Sequence, residues 1–273
     1  MSTFDVYGMT DKLDSPILDA IATRLEIRGN HAFFQKMLQD YLEAMDIDSA
    51  QRVLDLGCGT GVAARSIAGR AAFSGQVLGI DLSSHLIAVA RQLSAQEGKG
   101  EQVTFQAGDS RNLDLPEGGF DAVVAHTLIS HVDDPLAVLK EAARLVKPGG
   151  MVGIYDGDYA SLTFSHADPV QGKEYDEAIQ RAVITNPRVM RQMPLLLREA
   201  GLALVTSFSY ILAEMGQADF WASALESFRK LIPQSGVMTA EQANQWVDAR
   251  LQESVDGVFF GASNYYGYVA KRP

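Results

Sequence analysis

The residues best suited to ligand chemistry lie together in Val53-Leu54-Asp55-Leu56-Gly57-Cys58-Gly59-Thr60-Gly61. An apolar run passes straight into Gly57, Gly59 and Gly61 and then into a helical pattern, a strand–turn–helix in which backbone without Cβ atoms can approach a ligand closely. Amides opening the helix favour an anionic or polar group, either a pyrophosphate or a carboxylate. A dinucleotide fingerprint needs G-x-G-x-x-G, yet the third glycine comes one position early at Gly61 and Val62 stands in its place. A nicotinamide oxidoreductase is therefore the second reading, and a purely structural turn the third. Asp55 is unexpected beside a pyrophosphate but suits a cationic ligand group.

Two more acids end the strands that follow. Asp81 closes Gly79-Ile80-Asp81 about 20 residues after the loop, where ribose hydroxyls lie in Rossmann-like sites. Its alternative duty is to cap the helix opening at Leu82-Ser83-Ser84. Asp109, in Ala107-Gly108-Asp109-Ser110, can accept from an adenine amino group or simply bond its own turn. Acids at the carboxyl ends of three successive strands stand where open α/β sheets bind ligands.

In this order the residues resemble the class I S-adenosylmethionine-dependent methyltransferases, in particular the small-molecule group related to the ubiquinone and menaquinone methyltransferases. Asp55 to Gly61 looks like motif I, Asp81 like the ribose acid and Gly108-Asp109-Ser110 like the adenine motif. Phe120-Asp121-Ala122-Val123 is similar to the fourth-strand motif, and Leu145-Val146-Lys147-Pro148-Gly149-Gly150 to the turn before the fifth strand. The resemblance covers residues 50–156. It implies S-adenosylmethionine as cofactor and S-adenosylhomocysteine as product. Asp55, Gly57, Cys58, Gly59 and Gly61 would hold the methionine end, with His126 close by; Arg28, outside the stretch that the resemblance covers, is a separate cofactor candidate. Asp81, Leu82, Asp109 and Ser110 would hold the nucleoside. The acceptor would be a small hydrophobic or aromatic metabolite, methylated on O, N or C. A non-catalytic S-adenosylmethionine-binding protein is the alternative outside enzymology. An Asn-Pro-Pro-Tyr type sequence, as in base-directed amino methylases, is replaced by His126-Thr127-Leu128-Ile129, and the lone Cys58 cannot hold arsenic as arsenite methyltransferases do.

Methyl transfer needs an acceptor in line with the sulfonium carbon, and a base only where the acceptor must lose a proton. His131 and His126 follow the fourth strand and titrate near neutrality; either can instead be a packing histidine. Tyr155, Asp156, Asp158 and Tyr159 follow the fifth strand and can face an acceptor or serve as ordinary loop residues. Tyr7 joins them from the N-terminus, where Arg24 and Arg28 share a helix face and an arginine can meet the cofactor carboxylate. Trp221, with Phe220, Phe228, Tyr265 and Tyr266, can wall an aromatic acceptor or pack as core. No spacing fits a metal ligand set, and none is proposed.

Positioning these groups requires a particular scaffold. Short apolar strands at 53–56, 76–80, 102–106, 120–125 and 151–155 alternate with helices at 61–69, 84–96 and 135–146, which predicts a parallel sheet with right-handed crossovers. A mixed segment follows, then a helix over 186–200, a strand over 202–212, helices over 217–252 and a last strand over 257–270. The expected fold is α/β, a mostly parallel seven-stranded Rossmann-like sheet with an N-terminal helical cap at 1–48. Its core comprises 49–212 and 253–273, with a helical lid at 213–252 inserted before the last strand. At 273 residues the chain can bury a substantial core. One cysteine excludes an internal disulfide framework and fits a reducing, cytoplasmic setting. The N-terminus lacks a basic, then apolar, leader pattern, and no apolar run nears the ~20 residues of a membrane span. A net charge of −11 disfavours nucleic-acid partners, which leaves a small molecule. The sequence leaves the oligomeric state open.

Overall fold

The computed structural model describes residues 5–234, 236 and 238–273, with the backbone alone at Arg181. Seven strands form one sheet in the order β3-β2-β1-β4-β5-β7-β6. They are β1 (Arg52–Leu56), β2 (Gln76–Asp81), β3 (Val103–Ala107), β4 (Phe120–His126), β5 (Val146–Phe164), β6 (Ala203–Gly216) and β7 (Phe259–Lys271). Pairings among β1 to β5 are parallel, and β7 runs antiparallel to both β5 and β6. Val53, Leu54 and Leu56 of β1 and Val123 and Val124 of β4 are fully buried. Near-continuous apolar strands of this kind are what a parallel sheet covered on both faces demands.

One face is covered by α2 (Ala32–Ala44), α3 (Val62–Ala68) and α4 (Ser84–Gln96), which bury Met37, Leu38, Ala64, Ile67, Ile87 and Ala90. The other is covered by α5 (Pro135–Leu145) and α7 (Met193–Glu199). Helix α1 (Ser15–Asn30) crosses the carboxyl ends of the strands, packing on α3 and α4. The strand order reverses between β1 and β4, so the glycine loop after β1 and the His126-Thr127 corner after β4 flank the crevice where such sheets take ligands.

Three features differ from expectation. The mixed segment contains α6 (Pro169–Val183), which starts where the Asp168 carboxylate accepts from the Val170 and Gln171 amides and Pro169 occupies the first turn. The helix expected over 186–200 shrinks to a 3-10 turn at Val189–Gln192 and the seven-residue α7. Strand β5 runs on to Phe164 because β7 pairs along its length, apart from a bulge between Asp158 and Thr163. Helices α8 (Phe220–Gln234) and α9 (Ala240–Val255) stand between β6 and β7, and α6 packs on α8. Their buried side chains, Leu225, Ile232, Trp246 and Val247 among them, are continuous with the main core. No helix among the described residues is long and apolar enough to cross a membrane.

Candidate functional site

Positive φ at Gly57 (65°), Gly59 (53°) and Gly61 (82°) makes the loop after β1 a tight backbone coil. A Cβ on Gly57 would stand 2.5 Å from Leu128 Cδ1, and one on Gly61 2.6 Å from Phe105 Cζ, so side chains are barred by space as well as by conformation. Asp81 braces this coil: Oδ2 accepts from the Gly59 amide at 2.8 Å and Oδ1 from the Ser83 amide at 2.9 Å. Ser83, not Asp81, caps α4, accepting from the Leu86 amide.

Asp55 is buried beneath the loop. Its Oδ2 accepts from the Ala64 amide at 3.2 Å, while Oδ1 has no partner among the described residues. Burial, opposed by the Ala64 bond and reinforced by Asp81, pushes its carboxyl up to about 8. An unpaired buried acid at the mouth of a glycine loop is costly unless a donor group meets it there. The Thr60 hydroxyl and Arg28 Nη2 are likewise buried along the same cavity without hydrogen-bond partners among the described residues. A ligand with an ammonium, a carboxylate and hydroxyls fits these donors and acceptors.

Two cavities meet at the carboxyl end of the sheet. The first is lined by Asp55, the glycine loop, Asp81 and His126; the second by Tyr159 and Leu162 of the β5 bulge, Gln180 and Val183 of α6, and Trp221 and Phe228 of α8. Tyr7, Leu25, Arg28, Thr127 and His131 line both. Thr127 holds φ at 58°, a left-handed conformation sparsely populated outside glycine, with its amide donating to Tyr155 O at 2.7 Å.

His131 occupies this junction. Its Nδ1 lies 2.9 Å from Asp5 Oδ2, both groups being buried, which leaves Nε2 for the cavity. Asp5 also accepts from the Thr185 amide and hydroxyl. Burial works against the imidazolium, but Asp5 outweighs it and raises His131 above the ordinary histidine value. The 3-10 turn Ile129–His131 is held by Asp156 Oδ2, which accepts from the Ser130 amide at 2.9 Å.

Other sequence-predicted residues lie elsewhere. His126 lines the first cavity, but its Nδ1 is engaged with the Tyr41 hydroxyl at 3.1 Å and its ring stacks on Tyr155. Burial, then Arg28, push it down to about 3, which makes it a neutral group and a poor base. Tyr155 is fully buried between Tyr41 and Tyr265 and donates to Met37 Sδ, so it does not reach an acceptor. Asp158 is bound by Arg191 through both carboxylate oxygens, at 2.8 Å from Nε and from Nη2, and does not line either cavity. Leu82, Asp109 and Ser110, expected to hold the nucleoside, do not line the first cavity. The Asp109 carboxylate is paired bidentately with Arg111, which lowers its pKa. Cys58 is buried, its amide donating to Ile80 O. Tyr7, Arg28, Tyr159 and Trp221 do face the second cavity.

Asp5 is a positioning residue that no motif marks, lying 126 residues from its partner, whereas Asp156, singled out as able to face an acceptor, lines neither cavity and instead holds the Ser130 turn. Thr127, Leu162 and Gln180 come to the cavities only through a backbone twist, a bulge and the unforeseen α6.

Residues 53–150 match a family model described as methyltransferase domain. A ubiquinone biosynthesis O-methyltransferase of Xanthomonas axonopodis pv. citri is 36% identical over 50% of this chain and 54% of its own length. A demethylmenaquinone methyltransferase of Bacillus mycoides is 28% identical over 73% and 92%. The structure of Haemonchus contortus phosphoethanolamine N-methyltransferase 2, in complex with phosphomonomethylethanolamine and S-adenosylhomocysteine, superposes with a TM-score of 0.58 at 22% identity, covering 95% of this chain and 58% of that one. The chain spans between about a third and two thirds of the length of the curated relatives it matches first, at 65%, 36% and 63%. The matched segment, residues 53–150, is thus similar to a methyltransferase domain, and it carries the glycine loop, Asp55, Asp81 and the two histidines.

Proposed function

We propose that this protein transfers a methyl group from S-adenosylmethionine to a small apolar or aromatic molecule. The observation that carries this reading is the meeting of a polar, glycine-lined cavity and an aromatic cavity at five shared residues. When bound, the cofactor supplies an electrophilic methyl on a sulfonium. Asp55 Oδ1 would meet its ammonium, Arg28 its carboxylate and Asp81 its ribose, with Leu82, Asp109 and Ser110 the candidates for the adenine side. The second cavity receives the acceptor between Tyr7, Tyr159 and Trp221. Tyr7 and Tyr159 have their rings 5.1 and 6.1 Å from that of His131 and would confine the accepting atom there. His131 takes the proton from an O–H or N–H acceptor, Asp5 holding its ring. Exclusion of water by α1 and α8 supports the transfer by positioning and desolvation.

A cytoplasmic, small-molecule enzyme follows from the single cysteine and the −11 charge, which disfavours nucleic acid. The helices of 213–252, joined by α6, act as the acceptor lid of a core formed by 49–212 and 253–273. Calorimetric titration with S-adenosylhomocysteine tests the cofactor, and a radiolabelled-methyl screen over phenols, catechols, quinols and arylamines tests the transfer. Saturable S-adenosylhomocysteine binding with labelled product is expected. Binding of NADH in its place would overturn the reading, and cofactor binding with no product from any acceptor would favour a sensor.

A further inference from the structure

The acceptor cavity is charged in one sense only. Among the described residues no Asp or Glu lines it, whereas Arg24 and Arg28 both do, in a chain whose net charge is −11. The hydrogen-bond partner of Arg24 is neutral: Nη1 donates to Ser223 Oγ at 2.6 Å, and its guanidinium lies 4.4 Å over the Phe220 ring. Next to Phe220, Trp221 is buried with an Nε1–H that finds no acceptor among the described residues. Arg24 and the Trp221 indole thus flank the Phe220 ring, at 4.4 and 5.4 Å from its centre, and among the described residues no carboxylate answers the cation and no acceptor the N–H. A buried donor left without an acceptor is costly, and a buried cation more so, unless a ligand completes the site.

The two arginines are not equivalent. Arg28 lines the cofactor and acceptor cavities, while Arg24 lines the acceptor cavity and a groove that opens outward between α1 and α8, past Ile17, Ala20 and Leu231. Arg24 stands one helical turn, ~6 Å along α1, from Arg28 towards that opening. If the cofactor carboxylate takes Arg28, one cation and the Trp221 N–H remain for the acceptor.

Resting on the methyl-transfer reading, we propose that the acceptor is an aromatic or apolar acid, admitted between α1 and α8, whose anionic group is held by Arg24 and Trp221 Nε1 while its accepting atom reaches His131. Phe220, Phe228, Leu162 and Val183 take up the apolar body. Opposite charge at the far end also fixes which end of a flat molecule faces the methyl group, so Arg24 sets regiochemistry as well as affinity.

The test uses 2-naphthoate and 2-naphthamide, matched in shape and differing in charge, titrated calorimetrically into the full chain with and without saturating S-adenosylhomocysteine. The acid is expected to bind at least about tenfold tighter than the amide. Arg24→Gln should abolish that preference and Arg24→Lys retain most of it, with S-adenosylhomocysteine affinity close to wild type in both. Trp221→Phe should weaken the acid and leave the amide unchanged. Equal binding of acid and amide, tighter binding of the amide, or no saturable binding of the acid overturns the proposal. A preference that survives Arg24→Gln overturns it too, and places the anion at Arg28. Failure of S-adenosylhomocysteine to bind removes the cofactor reading while the charge preference is measured independently.

Discussion

Asp5 Oδ2 and His131 Nδ1 are 2.9 Å apart, and this contact ties the start of the chain to the turn after the fourth strand at the junction of the two cavities. The pair fixes the ring and makes it more basic, since the carboxylate favours the imidazolium. Asp5→Asn should therefore move the acid limb of kcat/KM to lower pH, because burial and Arg28 then act on His131 opposed only by Asp156, and lower the plateau by about tenfold for an O–H or N–H acceptor. His131→Gln should cost about 100-fold in kcat with little change in S-adenosylhomocysteine affinity. An unmoved acid limb in Asp5→Asn would remove His131 as the base.

The same pair sets a stability window. The raised His131 pKa contributes fully below the unfolded value of 6.5 and fades as pH rises through its folded value. The lowered Asp5 pKa contributes above 3.8 and is lost as pH falls through its folded value. The loss of thermal stability in Asp5→Asn should be greatest between those two reference values and shrink on both sides, a profile that melting curves across pH would establish or refute.

Asp55 makes a prediction of opposite sign. Its carboxyl, pushed up to about 8, is largely protonated at neutral pH, and an incoming ammonium favours the carboxylate. Binding of S-adenosylhomocysteine near pH 7 should release a proton, measurable as a dependence of the calorimetric enthalpy on the ionisation enthalpy of the buffer. The release should fade above about 8 as the free protein ionises. An acid whose folded pKa exceeds its unfolded one loses stability as pH climbs between the two. Asp55→Asn should accordingly stabilise the free protein at neutral pH by on the order of 1 kcal/mol while weakening S-adenosylhomocysteine binding by about tenfold. A variant destabilised at pH 7 would contradict the burial of a free oxygen.

The sheet and most of the glycine-loop cavity were legible in the sequence because both depend on local signals, although Leu82, Asp109 and Ser110 do not line that cavity. Apolar runs broken by glycine mark parallel strands, and Asp55, Asp81 and the glycine loop are spaced by strand and turn geometry. The acceptor half was not, since it is built from distant pieces. Tyr159 and Leu162 enter through a bulge that pairing with β7 imposes, and Gln180 through α6, whose polar composition hides its period. Asp158 and Tyr159 are adjacent, yet the strand sends one to Arg191 and the other to the cavity. Sequence spacing could place both near the acceptor but could not say which would face it.

That division makes Asp158 a test of structure against chemistry. It is 1% exposed and its charge is answered by Arg191, itself partly in solvent at 39%. Removing one partner leaves a buried carboxylate uncompensated, so Arg191→Ala should cost about 2 kcal/mol, discounted for the solvent that reaches the arginine. The double variant Arg191→Ala/Asp158→Asn should recover part of that loss in denaturant titrations. Acceptor KM should stay near wild type in both when assayed well below their melting temperatures. A rise in KM without loss of stability would return Asp158 to the acceptor site.

Asp81 and Ser83 separate ligand binding from helix capping within three residues. Asp81 bonds the loop amide of Gly59 and faces the cavity, whereas the Ser83 hydroxyl meets only the start of α4. Burial raises the Asp81 carboxyl against the bonds from Ser83 and Gly59, so the neutral isostere relieves a charge even as it loses an acceptor. Asp81→Asn should therefore change thermal stability little but weaken S-adenosylhomocysteine by about 10- to 100-fold, since an amide cannot accept from both ribose hydroxyls while still serving the loop. Ser83→Ala should do the reverse, costing about 1 kcal/mol of stability with affinity unchanged. If the two variants lose affinity in parallel, the carboxylate acts only by shaping the loop, and its direct contact with the ribose must be given up.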